Sequence, residues 1–106
     1  MKLWIDDVRE APSGYVHARS VNHAKQLILK YSNMLDWDMN PTDMVELIDI
    51  DHDAGAYAID GGDYIKLLDW MEEIGYTPQA IHIHSMNPVG IQNMRRIIQK
   101  NHWREV

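Results

Sequence analysis

Two acidic clusters hold most of the chemistry in this chain. Asp6-Asp7 closes the apolar run Leu3-Trp4-Ile5, and Asp49, Asp51 and Asp53 crowd the end of a second stretch, Leu47-Ile48-Asp49-Ile50-Asp51-His52-Asp53-Ala54-Gly55. Carboxylates this close repel one another unless positive charge sits among them. A hard cation such as Mg²⁺ or Mn²⁺ supplies that charge, taking one or two carboxylates together with waters and phosphate oxygens. Asp6, Asp7 and Asp51, with Asp53 beside them, are the candidate ligands. The spacing is not that of a calcium loop, since no glycine stands at Ala54 and no glutamate closes the stretch. Alternatively, Asp6 caps a turn while Asp49 and Asp53 are simply solvated. Two acidic strand ends at one sheet edge favour metal or phosphate chemistry over that reading.

A third stretch, Ile81-His82-Ile83-His84-Ser85-Met86-Asn87-Pro88, adds an imidazole, a hydroxyl and a carboxamide. His84, directly before Ser85, is a candidate for proton transfer, as is Asp53. Ser85 and Asn87 precede a helical pattern and can donate to phosphate oxygens; capping of that helix accounts for the same residue types equally well. Arg9 either neutralises a phosphate or pairs with Asp6 or Asp7. His82 reads as an ordinary strand residue. Strand alternation points His52 away from Asp51 and Asp53, where it orients the loop. Asp51, at the sheet edge, is the expected reactive or metal-bound residue, and Asp49, one pleat earlier, is structural.

These side chains need strands that end together. Lys2–Asp6 and Met44–Asp51 read as strands with nearly continuous apolar runs, as expected when both faces are covered, and Tyr15–Ala18 and Ala80–Ser85 complete a set of four. Ser20 offers an N-cap to a helix carrying Val21, Ala24, Leu27, Ile28 and Tyr31, expected to end between Asn33 and Met39, before Asn40-Pro41. A second helix runs from Asp63 to Ile74 and stops at Gly75, and a third carries Ile91, Met94, Arg95, Ile97 and Ile98. Arg95 and Arg96 belong to its solvated face. Ala54–Gly62 is a glycine-rich loop able to order over a ligand, and His102–Val106 a short edge strand. Strands alternating with helices imply an α/β sandwich with a mainly parallel sheet. The stretch between Asp6 and Tyr15 is shorter than the dozen or so residues a parallel crossover ordinarily uses. Either the second strand lies elsewhere or this crossover is a compact loop without a helix.

Composition narrows the function. The 106 residues suit a single domain, and a net charge of −6 with ten Lys and Arg argues against an extended nucleic-acid-binding face. A small phosphorylated ligand held through a metal fits that charge. Cysteine is absent, which excludes disulfides and thiolate metal sites. No run has membrane-spanning length and the N-terminus is acidic too early for a signal peptide, so a cytoplasmic location is the default expectation. Phenylalanine is also absent, which leaves the core to Leu, Ile, Met and amphipathic aromatics, Trp70, Trp103 and Trp37 among them.

Asp6-Asp7, the strand ending at Asp51 and the strand ending at Ser85 together resemble a response-regulator receiver domain. Ala18-Arg19-Ser20-Val21-Asn22-His23-Ala24 resembles the receiver's second strand entering its helix. The resemblance implies a compact, flavodoxin-like three-layer sandwich with four or five strands. It also implies Mg²⁺ on Asp6, Asp7 and Asp51, phosphoryl acceptance at Asp51, and a phosphoryl contact at Ser85. Leu3-Trp4-Ile5-Asp6-Asp7-Val8-Arg9, Ile50-Asp51-His52-Asp53-Ala54-Gly55 and His84-Ser85-Met86-Asn87-Pro88-Val89-Gly90 are more closely similar to the divergent group called cyclic-phosphate-processing receiver domains. That similarity implies a metal-dependent phosphatase or cyclic phosphodiesterase acting on nucleotides or RNA ends. Ordinary receivers also carry a lysine at the end of a fifth strand and a helix between the first two strands. Neither has a counterpart here: Lys100 comes too early, and the first connection is too short. These departures weaken a phosphorylation switch more than they weaken metal binding. Two alternatives stay open, a stand-alone signalling receiver with a protein partner and a non-catalytic module that binds a nucleotide or a protein.

Overall fold

The computed structural model describes residues 1–31 and 44–106. Four strands form one sheet: β1 (Lys2–Ile5), β2 (Tyr15–Ala18), β3 (Leu47–Ile50) and β4 (Ile81–Ile83). Their order is β2-β1-β3-β4 and every pairing is parallel. Three helices follow strands, α1 (Val21–Tyr31) after β2, α2 (Ile65–Ile74) after β3 and α3 (Pro88–Lys100) after β4. This is the receiver-like α/β fold expected from the sequence. The predicted end of the first helix, Trp37 and Asn40-Pro41 lie outside the described residues.

The short first connection is resolved in favour of a compact loop. No helix lies between β1 and β2. The loop turns at Pro12, whose carbonyl accepts from the Tyr15 amide at 3.1 Å, and Gly14 takes a φ of +86° that other residues resist. It is braced at the other end as well, because the Trp4 indole donates to the Arg9 carbonyl at 3.1 Å.

Alternation along the strands determines what is buried. Leu3, Ile5, Ala18, Ile48, Ile50 and Ile81 turn to one side and are fully buried with Val21, Ala24, Ile28, Leu67, Leu68, Met71, Met94 and Ile98 from the three helices. The helices pack in a row, α1 on α2 and α2 on α3, so they cover the same face. With the first crossover helix missing, no described helix covers the other face, which carries Lys2, Trp4, Tyr15, His17, Leu47, Asp49 and His82. The aromatics foreseen for the core are there in Tyr64 and Trp103, with Trp70 packed against it. Gly75 ends α2 in the left-handed conformation, φ +74°. After α3 the chain returns to the sheet edge, where Glu105 bridges Ile81 in parallel sense. No described helix is long and apolar enough to cross a membrane.

Candidate functional site

Register brings the acidic residues together. Ile5 stands beside Ile50, and Ile50 beside Ile83. The next residues, Asp6, Asp51 and His84, therefore form a row across the carboxyl edge of the sheet. Ladder bonds continue into that row: the Asp51 amide donates to the Ile5 carbonyl and the His84 amide to the Ile50 carbonyl, both at 2.9 Å. Asp6, Asp51 and His84 each present a ligand atom, all within 4.8 Å of one another.

His84 is held by carboxylates on both sides. Nε2 meets Asp6 Oδ2 at 2.9 Å and Nδ1 meets Asp49 Oδ1 at 2.6 Å. The ring lies flat against the Trp4 indole, with centroids 3.9 Å apart and planes 3° apart. Two acceptors satisfy both nitrogens only when both are protonated. Burial opposes the charged ring, but the bonds to Asp49 and Asp6, with their charges, prevail and raise its pKa above the ordinary histidine value. Asp6 shows the converse. Burial favours its neutral form, yet the amides of Arg9 and Val8, at 2.8 and 2.9 Å from Oδ1, and the His84 ring hold its pKa below the usual carboxylate value.

The other predicted residues gather close by. Arg9, Asp51, Asp53, Ser85 and Asn87 line a cleft of about 310 Å³, with Met86 completing its wall. Arg9 extends toward the His84 carbonyl, 3.5 Å from Nη1. Asn87 caps α3 by accepting from the Gly90 amide at 3.0 Å, and Ser85 Oγ accepts from the Asn87 amide at 3.1 Å. Capping therefore occurs, and it leaves the Ser85 hydroxyl proton and the Asn87 amide nitrogen directed at other partners. Asn87 Nδ2 lies 3.5 Å from Asp53 Oδ2. Asp51 Oδ1 accepts from the His52 amide at 2.8 Å; among the described residues its second oxygen has no hydrogen bond. Asp7 stands apart from the row, its carboxylate against Gly55, where a Cβ would come within 2.4 Å of Oδ2. Gly55 also has a φ of +55°, so both backbone and space require glycine there.

His52 differs from the expectation. Alternation ends with the strand at Ile50, the chain turns, and the His52 ring bonds Asp53 at 2.9 Å instead of pointing away from it. The family model for the cyclic-phosphate processing receiver domain matches residues 1–100. The chain belongs to that family. This receiver domain is thus a module associated with cyclic-phosphate processing, and no curated protein or solved structure matches it.

Several residues of this cyclic-phosphate processing receiver domain escaped the sequence reading. Trp4, as the platform under His84, gave no signal beyond its place one pleat before Asp6. Asp49 was expected to be structural, and its role is to fix the second nitrogen of His84; the shared parity of Asp49 and His84 on neighbouring strands was the available clue. His17 and Arg19 grip the backbone of the acidic pair, His17 Nε2 at 2.9 Å from the Asp6 carbonyl and Arg19 Nη1 at 2.8 Å from that of Asp7. Side-chain bonds to loop carbonyls leave no periodic trace.

Proposed function

We propose that the domain is a divalent-metal-dependent phosphoesterase that opens or removes phosphoesters on nucleotides or RNA ends, cyclic phosphates among them. The observation that carries this reading is the convergence of Asp6, Asp51 and His84, with Asp51 lining a cleft shared with Arg9, Ser85 and Asn87.

The donors suit a hard cation through oxygen. Both nitrogens of His84 are occupied by carboxylates, so Asp51, with an open oxygen, and Asp6 are the ligands for Mg²⁺ or Mn²⁺, with Asp7 as a further carboxylate nearby. Such an ion polarises a phosphoryl oxygen or a water. Arg9, Ser85 and Asn87 supply donors to the equatorial oxygens of the phosphorus. In hydrolysis, water oxygen bonds to phosphorus, one ester P–O bond breaks, and the departing oxygen takes a proton from solvent. Asp53, exposed at the cleft wall, accepts the proton from water. Held between two carboxylates, His84 acts as a fixed positive charge beside the cleft. A proton-donating role would require it to leave one of those carboxylates.

Hydrolysis of 2′,3′-cyclic nucleotides and phosphorylated RNA ends with Mg²⁺ or Mn²⁺ tests the reading, and Asp51→Asn should abolish turnover. The signalling alternative rests on the position of Asp51 at the end of β3. Incubation with a small phosphodonor, read by intact mass, distinguishes the two: a stable phosphoryl adduct absent from Asp51→Asn, with no hydrolysis of any ester, would overturn the enzyme in favour of the switch. Tight binding of an unchanged nucleotide would instead favour a sequestering module.

A further inference from the structure

A second cleft, about 570 Å³, opens on the β2 side of the acidic row and is lined by His17, Arg19, Ser20, His23, Tyr57 and Asp60. It shares a wall with the acidic pair. His17 and Arg19, which line it, are the residues bonded to the Asp6 and Asp7 carbonyls. Tyr57 belongs to the 3-10 turn Gly55–Ile59, whose first residue rests on the Asp7 carboxylate. The second cleft therefore borders Asp6-Asp7 through its own lining residues.

The lining has the chemistry of a nucleotide. Arg19 and His23 can donate to a phosphate, and Tyr57, 42 % exposed, offers a ring face on which a base can stack. The single carboxylate is already engaged: Asp60 accepts from Ser20 Oγ at 2.6 Å and from Asn22 Nδ2 at 3.0 Å. Arg19 pairs with Glu10 at 3.1 Å, but Glu10 is 83 % exposed, and an ion pair that open to water is readily exchanged for a phosphate. In a chain of net charge −6 a cleft with one arginine in its lining suits a short anionic segment better than a long one.

Resting on the proposed activity of the acidic site, we propose that this cleft holds the nucleotide next to the reacting phosphate. Tyr57 stacks its base, and Arg19 with His23 takes the linking phosphodiester. The substrate class is then an RNA 3′ end, and a free cyclic mononucleotide is the poorer ligand.

Calorimetric titration of the whole chain with Mg²⁺ tests this, using uridylyl-uridine 2′,3′-cyclic phosphate against uridine 2′,3′-cyclic phosphate on an Asp51→Asn background that prevents turnover. The dinucleotide should bind roughly tenfold more tightly, the worth of one base–aromatic stack. Adding Tyr57→Ala or His23→Gln, both at exposed positions, should reduce that ratio toward one by weakening the dinucleotide. Imidazole resonances of His17 and His23 should shift with the dinucleotide and stay in place with the mononucleotide. Equal affinities in the parent, or a ratio that survives both substitutions, overturns the subsite and leaves the acidic-site reading standing. If neither ligand binds and wild type hydrolyses neither, the phosphoesterase reading falls and the subsite with it.

Discussion

Replacing His84 with glutamine tests the electrostatic arrangement of the site more sharply than any other single change. Asp6 is 1 % exposed and Asp49 7 % exposed, and the imidazolium between them is the positive charge bonded to both. Glutamine keeps a donor amide but carries no charge and cannot reach both carboxylates in the same geometry. Removing one member of a buried ion pair costs ~3–5 kcal/mol. The lower end, about 3 kcal/mol, applies here because Asp6 keeps the Val8 and Arg9 amides. A chain of 106 residues has a total stability of roughly 5–15 kcal/mol, so the loss is a large share. Urea unfolding in EDTA, at a pH below the ordinary histidine value of 6.5, should show a lower midpoint at unchanged slope. Excess Mg²⁺ should restore the variant by more than it raises wild type, since the cation replaces the missing charge. Asp49→Asn combined with His84→Gln should cost less than the sum of the two, because the orphaned carboxylate goes with its partner. A loss below about 0.5 kcal/mol, or equal Mg²⁺ gains in both proteins, would refute the reasoning.

Other expectations follow from single contacts. The metal-free protein should be most stable between the ordinary aspartate and histidine values, 3.8 and 6.5. His84, with a raised folded pKa, stabilises fully below 6.5 and loses that effect as pH climbs through the folded value; Asp6, with a lowered one, stabilises fully above 3.8 and loses it as pH falls through its own. Thermal melts in EDTA across a pH series check this, and stability that keeps rising above 6.5 would count against it. Gly90→Ala places a Cβ 2.4 Å from the His52 ring and should cost ~1–3 kcal/mol by overpacking, visible in chemical denaturation together with a shifted His52 resonance. Tyr64→Phe removes the 2.7 Å bond from its hydroxyl to the part-buried Arg19 carbonyl; urea unfolding should show a loss of ~0.5–1.5 kcal/mol, the net worth of one hydrogen bond.

The strands were legible because their apolar runs are short, bounded and end in charge. Once Leu3-Trp4-Ile5 and Leu47-Ile48 are taken as neighbours in a parallel sheet, the meeting of Asp6 with Asp51 follows from parity alone. Strands β1, β3 and β4 end a residue or more inside the sequence-based limits, although the Asp6, Asp51 and His84 amides still bond to the neighbouring strands. The 3-10 turn at Gly55–Ile59 stayed hidden because glycine and alanine there fit loop and helix alike. His84 was readable as a candidate, but its bond to Asp49 is diagonal across strands and depends on a register that only the assembled sheet fixes. The gripping contacts of His17 and Arg19 end on backbone carbonyls, which every residue possesses.

The row Asp6–Asp51–His84 also bears on the order in which the protein is made. Its members come from the beginning, middle and last quarter of the chain, and the bond from His84 to Asp6 closes a span of 78 residues. Local helices form long before such a loop closes. Strand β1 is made before β3, whose docking brings Asp51 to Asp6, and the row is complete only after β4 has docked and placed His84. A nascent or partly folded chain therefore lacks the His84 ring between Asp6 and Asp49, and the resonance of that ring becomes a reporter of the last step of assembly.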